Sequence, residues 1–171
     1  MVSIPGQYKE FAIRVSAGLG DERFRVVETT AQKVAAQGWL MLSPPECEDL
    51  PEASFIFRLI EHRTAENRLH FDIRSADGRF KDAKLGVSLS GYLGFYQIAQ
   101  VTDFWKLEAL EPVRLQPGAR FKANWRDHLG QRVAAYDISR DCSPRRATPS
   151  YWLNVKEGRA LDIEIEVMGA R

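Results

Sequence analysis

Cysteine is almost missing from this chain: among 171 residues only Cys47 and Cys142 carry a thiol. Two cysteines make neither a disulfide framework nor a zinc ligand set, so a reducing compartment is the simplest expectation, with one Cys47–Cys142 bridge as the alternative. Long apolar runs are missing too, and no segment approaches the ~20 residues that a helical membrane span needs. The N-terminal MVSIPGQYKEF has no basic stretch leading into an apolar one, so no Sec-type export signal is read there. The expected location is cytoplasmic, or outside the cell by release without a classical signal peptide. No excess of one charge sign exists either: 24 Lys and Arg stand against 23 Asp and Glu, a net charge of +1. The field that draws a basic domain to nucleic acid is therefore not present, and no nucleic-acid partner is expected. Histidine is scarce, and His62, His70 and His128 fall in separate segments without metal-ligand spacing. No G-x-S-x-G elbow, P-loop or G-x-G-x-x-G occurs, and Gly18-Leu-Gly20 lacks the strand-then-helix setting of a dinucleotide site. The expectation is a protein with no metal, no cofactor and no catalytic activity.

What the chain does have is a globular balance, 44% hydrophobic and 27% charged residues, in a length that suits one domain over residues 1–171. Short runs with period-two alternation dominate, punctuated by Gly, Pro and Asp, and these are strand signals. In Leu161-Asp-Ile-Glu-Ile-Glu-Val167 the apolar residues take one face and the acids the other, as in a half-buried antiparallel strand. The one helix-like stretch, Thr30 to Gln37, is short and poor in apolar residues, and reads as a loop with a single turn. Ser43 to Pro51 and Arg140 to Pro149 are Pro-rich connections.

An internal repeat organises these strands. Gly38-Trp-Leu-Met-Leu42, Gly91-Tyr-Leu-Gly-Phe95 and Tyr151-Trp-Leu-Asn-Val155 each place an aromatic residue before Leu and an apolar residue two further on. A strand with alternating apolar residues follows each: Phe55/Phe57/Leu59, Trp105/Leu107 and Ile163/Ile165/Val167. Ahead of each lies a strand, a Gly-containing turn and a second strand: Phe11–Val15 with Arg23–Val27, Leu69–Ile73 with Arg79–Lys81, and Phe121–Trp125 with Arg132–Tyr136. The repeats run over about residues 8–62, 66–111 and 118–168. Units too small to bury an apolar face alone can close a short barrel when packed about a common axis. The expected fold is all-β, a β-trefoil of three four-strand repeats, with a β-sandwich or an up-and-down barrel as the replacement.

In Leu69-His-Phe-Asp-Ile-Arg-Ser-Ala-Asp-Gly-Arg-Phe80 and Asp103-Phe-Trp-Lys-Leu107 the middle unit resembles a subdomain of the ricin-B-type lectins. There an outward Asp leads into a D-G turn and a Gln-x-Trp element closes the unit; here Asp103 stands in the place of that Gln. The stretch from Gly91 to Glu108 is also similar to fascin-like trefoils. The resemblance implies a non-catalytic carbohydrate-binding module. With Leu69, Phe71 and Ile73 inward, His70, Asp72 and Arg74 should face outward. The middle-unit site would then use Asp72, an aromatic platform from Phe95 or Tyr96, and Thr102 or Asp103. The third unit would use Asn124 with Tyr151 or Trp152. Trp39, Tyr92 and Trp152 hold equivalent positions, either as a platform for sugar rings or as a plug for the barrel or its cap. A second reading is a protein-binding trefoil, such as a protease inhibitor or interaction partner, that uses the Pro-rich loops Ser43–Pro51 and Arg140–Pro149, the second with Arg140, Arg145 and Arg146. A third is a sugar-directed cytotoxic or defence protein.

Overall fold

The computed structural model describes residues 1–29, 38–47, 50–96, 104–138 and 151–171. The chain is all-β. Its strands are β1 (Val2–Ser3), β2 (Glu10–Leu19), β3 (Glu22–Glu28), β4 (Leu40–Ser43), β5 (Phe55–Arg63), β6 (Arg68–Ser75), β7 (Lys84–Val87), β8 (Leu93–Tyr96), β9 (Trp105–Ala109), β10 (Val113–Arg114), β11 (Arg120–Arg126), β12 (Ala134–Asp137), β13 (Tyr151–Asn154), β14 (Arg159–Ala160) and β15 (Asp162–Ala170). Among the described residues no helix is long and apolar enough to cross a membrane.

Six strands close a ring. β2 pairs with β5, β5 with β6, β6 with β9, β9 with β11, β11 with β15, and β15 returns to β2, all antiparallel. Closure gives each of these strands two neighbours and removes the free edges an open sheet would present. The alternation read in the sequence fills the ring: Phe11, Phe55, Phe57, Phe71, Phe121, Trp105 and Trp125 are all buried inside it. Rings meet edge-on or tilted, with Phe55 to Trp125 at 6.1 Å and Trp105 to Trp125 at 5.6 Å, an arrangement favoured by the aromatic quadrupole.

Three hairpins, β3/β4, β7/β8 and β12/β13, cap the ring. They join one another in cyclic order: Trp39 bridges to Gly94, Tyr92 to Asn154, and Trp152 pairs with Met41. Each hairpin's leading aromatic residue thus meets the residue two places past the leading aromatic of the next hairpin. The strands also share a defect, since β5 and β15 carry a register shift at matching positions, between Leu59 and Glu61 and between Val167 and Gly169.

The segment after β6 departs from expectation. Residues Arg79 to Lys81 form a turn, not a strand, and the strand that follows is β7 at Lys84–Val87. Phe80 supplied an apolar signal because it is buried as a turn anchor. Asp82 takes a left-handed conformation, φ 68°, and its N–H donates to Ser75 O at 3.0 Å, so the turn extends beyond Gly78. The stretch Thr30 to Gln37 lies outside the described residues.

One polar group is sealed between β3 and β6. Glu28 is buried, and Ser75 Oγ donates to its Oε1 at 3.3 Å. Burial pushes its pKa above the ordinary 4.5; the Ser75 hydrogen bond opposes this and the nearby Asp77 carboxylate adds to it. The folded chain therefore holds the Glu28 proton more tightly than the unfolded chain does. Its contribution to stability is greatest below the unfolded value and falls as pH rises through the raised one. Glu28→Gln, which keeps a group for Ser75, is expected to melt above the wild type at neutral pH. The difference should vanish below pH 4.5, as thermal denaturation across pH would show.

Candidate functional site

Leu40, Leu93 and Leu153 are fully buried. Alternation along a strand sends the residue before each to the other face, and there Trp39, Tyr92 and Trp152 gather, all half-buried. Trp39 stacks on Tyr92 with centroids 4.5 Å apart and planes 17° apart, while Trp152 meets them edge-on at 5.5 and 6.4 Å. The stack needs Gly94, because a Cβ there would stand 2.8 Å from Trp39 Cδ1. Tyr136 of β12 extends the group, meeting Tyr92 edge-on at 5.8 Å.

Tyr136 is also one wall of a cavity of about 380 Å³, with Asp137, Glu157 and Arg159 around it. Its opposite side is the turn after β13. Asn154, only 2% exposed, fixes that turn: its Oδ1 accepts from Lys156 N at 2.7 Å and Glu157 N at 3.0 Å, and its Nδ2 donates to Ser90 O at 3.1 Å. Gly158 then passes so close to β12 that a Cβ would lie 2.5 Å from Ala135 O, with φ at 133°. A left-handed backbone and a close approach both require glycine there. The result is a strip of aromatic faces that runs into a pocket with acceptors and a donor.

The residues expected to bind do not assemble as the sequence suggested. Asp72 and His70, expected outward, are buried. Asp72 Oδ2 lies 3.4 Å from both Arg58 and Arg74, and its side chain is only 6% exposed. The two arginine stems cover it, as long cationic side chains do on a barrel wall; Arg74 itself is exposed. His70 Nδ1 lies 3.5 Å from Glu61, and burial pulls its pKa below the ordinary value, with Glu61 opposing. Phe95 is no platform: it belongs to the core and packs 5.8 Å from Phe55. Tyr96 is half-buried beside it, and burial pushes its phenol up. Asn124 lies on β11, in register with Glu108, whereas Trp152 and Tyr151 lie on β13, which pairs with β12 and β4. Tyr151 is itself buried against Phe24 at 5.9 Å. Thr102 and Asp103, with Arg140, Cys142, Arg145 and Arg146, lie outside the described residues. Among the described residues no group of three or more His, Cys, Asp and Glu could hold a metal ion.

Tyr136, Asp137, Glu157 and Arg159 escaped the sequence reading. A signal existed in the Lys156-Glu-Gly-Arg159 turn between two strands, but only the pairing of β12 with β14 brings that turn beside Tyr136. No family model matches the chain and no curated protein matches it. Among solved structures, the complex of lysenin with phosphocholine is similar at 18% identity and a TM-score of 0.43, over 98% of this chain and 46% of that one. The chain spans about half the length of the protein it matches there.

Proposed function

We propose that the chain is a β-trefoil and a non-catalytic carbohydrate-binding module whose site is the Tyr136 pocket with its adjoining aromatic strip. The trefoil reading is supported by the closed six-strand ring, the three hairpins in cyclic contact and the matched register shifts of β5 and β15. The binding reading rests on one observation: half-buried rings from all three units lead into a pocket that offers both carboxylates and a guanidinium. A sugar ring presents a C–H face that packs on an aromatic side chain and a rim of hydroxyls that need acceptors and donors together. Tyr136 would supply the face, and Asp137, Glu157 and Arg159 the polar partners.

A glycan array probed with wild type, Tyr136→Ala and Asn124→Ala tests this. The expected result is a defined set of glycans retained by Asn124→Ala and weakened about tenfold or more by Tyr136→Ala, the scale of losing one stacked ring and its bonded hydroxyl. Equal binding by both variants, or no glycan bound at all, would overturn it.

A further inference from the structure

The outer wall of the barrel repeats as faithfully as its core. One outer-wall residue stands between two core residues on the first strand of each unit: Ala12, His70 and Lys122. Each pairs in the same register with the fourth strand of its own unit, Ala12 with Ile56, His70 with Lys106 and Lys122 with Glu164. On the other side stands the fourth strand of the preceding unit. Gly169 lies beside Ala12 and Glu61 beside His70, and Glu111 Oε1 accepts from Lys122 N at 3.3 Å.

Two of these rows, Glu61-His70-Lys106 and Glu111-Lys122-Glu164, are therefore filled by long polar side chains. The third, Gly169-Ala12-Ile56, has neither charge nor bulk, and the wall above it is hollow. A cavity of about 400 Å³ bordered by Glu10, Arg171, Lys81 and Asp82 adjoins one of about 330 Å³ bordered by Arg14, Glu52 and Ser54, and both include Ala12 and Ala76. The register shift is not the cause, because β5 and β15 both carry it at this level. Small side chains in this row leave the space open, whereas the equivalent rows are filled twice. Its lip is fixed: Arg74 Nη1 donates to Asp82 O at 3.1 Å, and Asp82 holds its left-handed φ of 68°.

The borders of the larger cavity set two acids against two cations, so a ligand of net charge gains little there. A neutral ligand that both donates and accepts hydrogen bonds suits it, with an apolar face for the floor of Ala12 and Ile56. The larger cavity lies within the range of roughly 300–1,000 Å³ typical of small-ligand sites. We propose that this hollow is a second binding site, separate from the Tyr136 pocket, and that it takes a neutral saccharide whose ring lies on Ala12 and Ile56 and whose hydroxyls reach Glu10, Lys81 and Asp82.

The internal repeat supplies the test variant. Ala12→Lys with Ile56→Glu copies the row of the third unit and fills the hollow with a pair the fold already accepts. Asp82→Gly removes one rim carboxylate at a position whose positive φ suits glycine, so it should fold even if the double variant does not. Maltose, cellobiose, lactose and N,N′-diacetylchitobiose would each be titrated into ¹⁵N-labelled protein at millimolar concentration. At least one is expected to shift the amides of Ala12, Ala76 and Gly169 saturably. The filled variant should weaken that response about tenfold or more, and Asp82→Gly by several-fold. No saturable shift of these amides with any of the sugars, or an undiminished shift in both variants, would overturn the proposal. Amides of Tyr136 and Gly158 in the same spectra report on the third-unit pocket, so the two sites can fail independently.

Discussion

Asn154→Ala is expected to lower the unfolding free energy by about 3 kcal/mol, the sum of three hydrogen bonds at roughly 0.5–1.5 kcal/mol each. The amide is buried, and all three bonds run to main chain: to Ser90 between β7 and β8 and to Lys156 and Glu157 after β13. Alanine removes both the donor and the acceptor, and the two segments lose the group that holds them together. Gly91 shows how closely this contact is fitted, because a Cβ there would meet Asn154 Oδ1 at 2.6 Å. A urea titration of Asn154→Ala beside Asn124→Ala checks the estimate. Asn124 is half-buried on the outer wall, and its replacement should stay within about 0.5 kcal/mol of wild type. Equal midpoints for the two variants would mean that the Asn154 bonds are replaced by water at no loss. On the proposed carbohydrate site, the same variant should also weaken glycan binding, since one of the broken bonds holds the Glu157 backbone beside the Tyr136 pocket.

The core was legible because alternation fixes which side chains can face inward. Trp105 is buried as its alternation with Leu107 requires, although the register sets it level with Phe55 and Ile163, and Leu107 level with Phe57 and Ile165. Hairpins were harder to read: Lys84-Leu-Gly-Val87 offers only two apolar residues, and Phe80 four positions earlier gave a stronger but misleading signal. The site was least legible. Asp72 does lie on the outer wall, but Arg58 and Arg74 cover it, and nothing in the local sequence announces that Arg58, fourteen positions away, pairs with it. The Tyr136 pocket and the hollow over Ala12 have the same explanation. Each is assembled across strands distant in sequence, so its residues become neighbours only once the register is known.

Trp105→Ala and Trp125→Ala should each destabilise the protein by about 3–5 kcal/mol, as expected when a large buried aromatic residue is deleted from a close-packed core. Phenylalanine should separate the two positions. Trp105 Nε1 donates to Leu85 O at 3.2 Å and so ties the barrel to the middle hairpin. Trp125 Nε1 is buried with no hydrogen-bond partner among the described residues, so its N–H has lost its hydration without compensation from them. Trp105→Phe breaks a bond and leaves a buried carbonyl short of a donor, whereas Trp125→Phe removes a group that was making none. The first substitution should therefore be worse than the second by about 1–3 kcal/mol, although both shed the same atoms. Chemical denaturation of the two variants reads this difference directly. If they unfold at the same denaturant concentration, the Leu85 bond contributes nothing net, and packing alone accounts for the stability of the junction between barrel and cap.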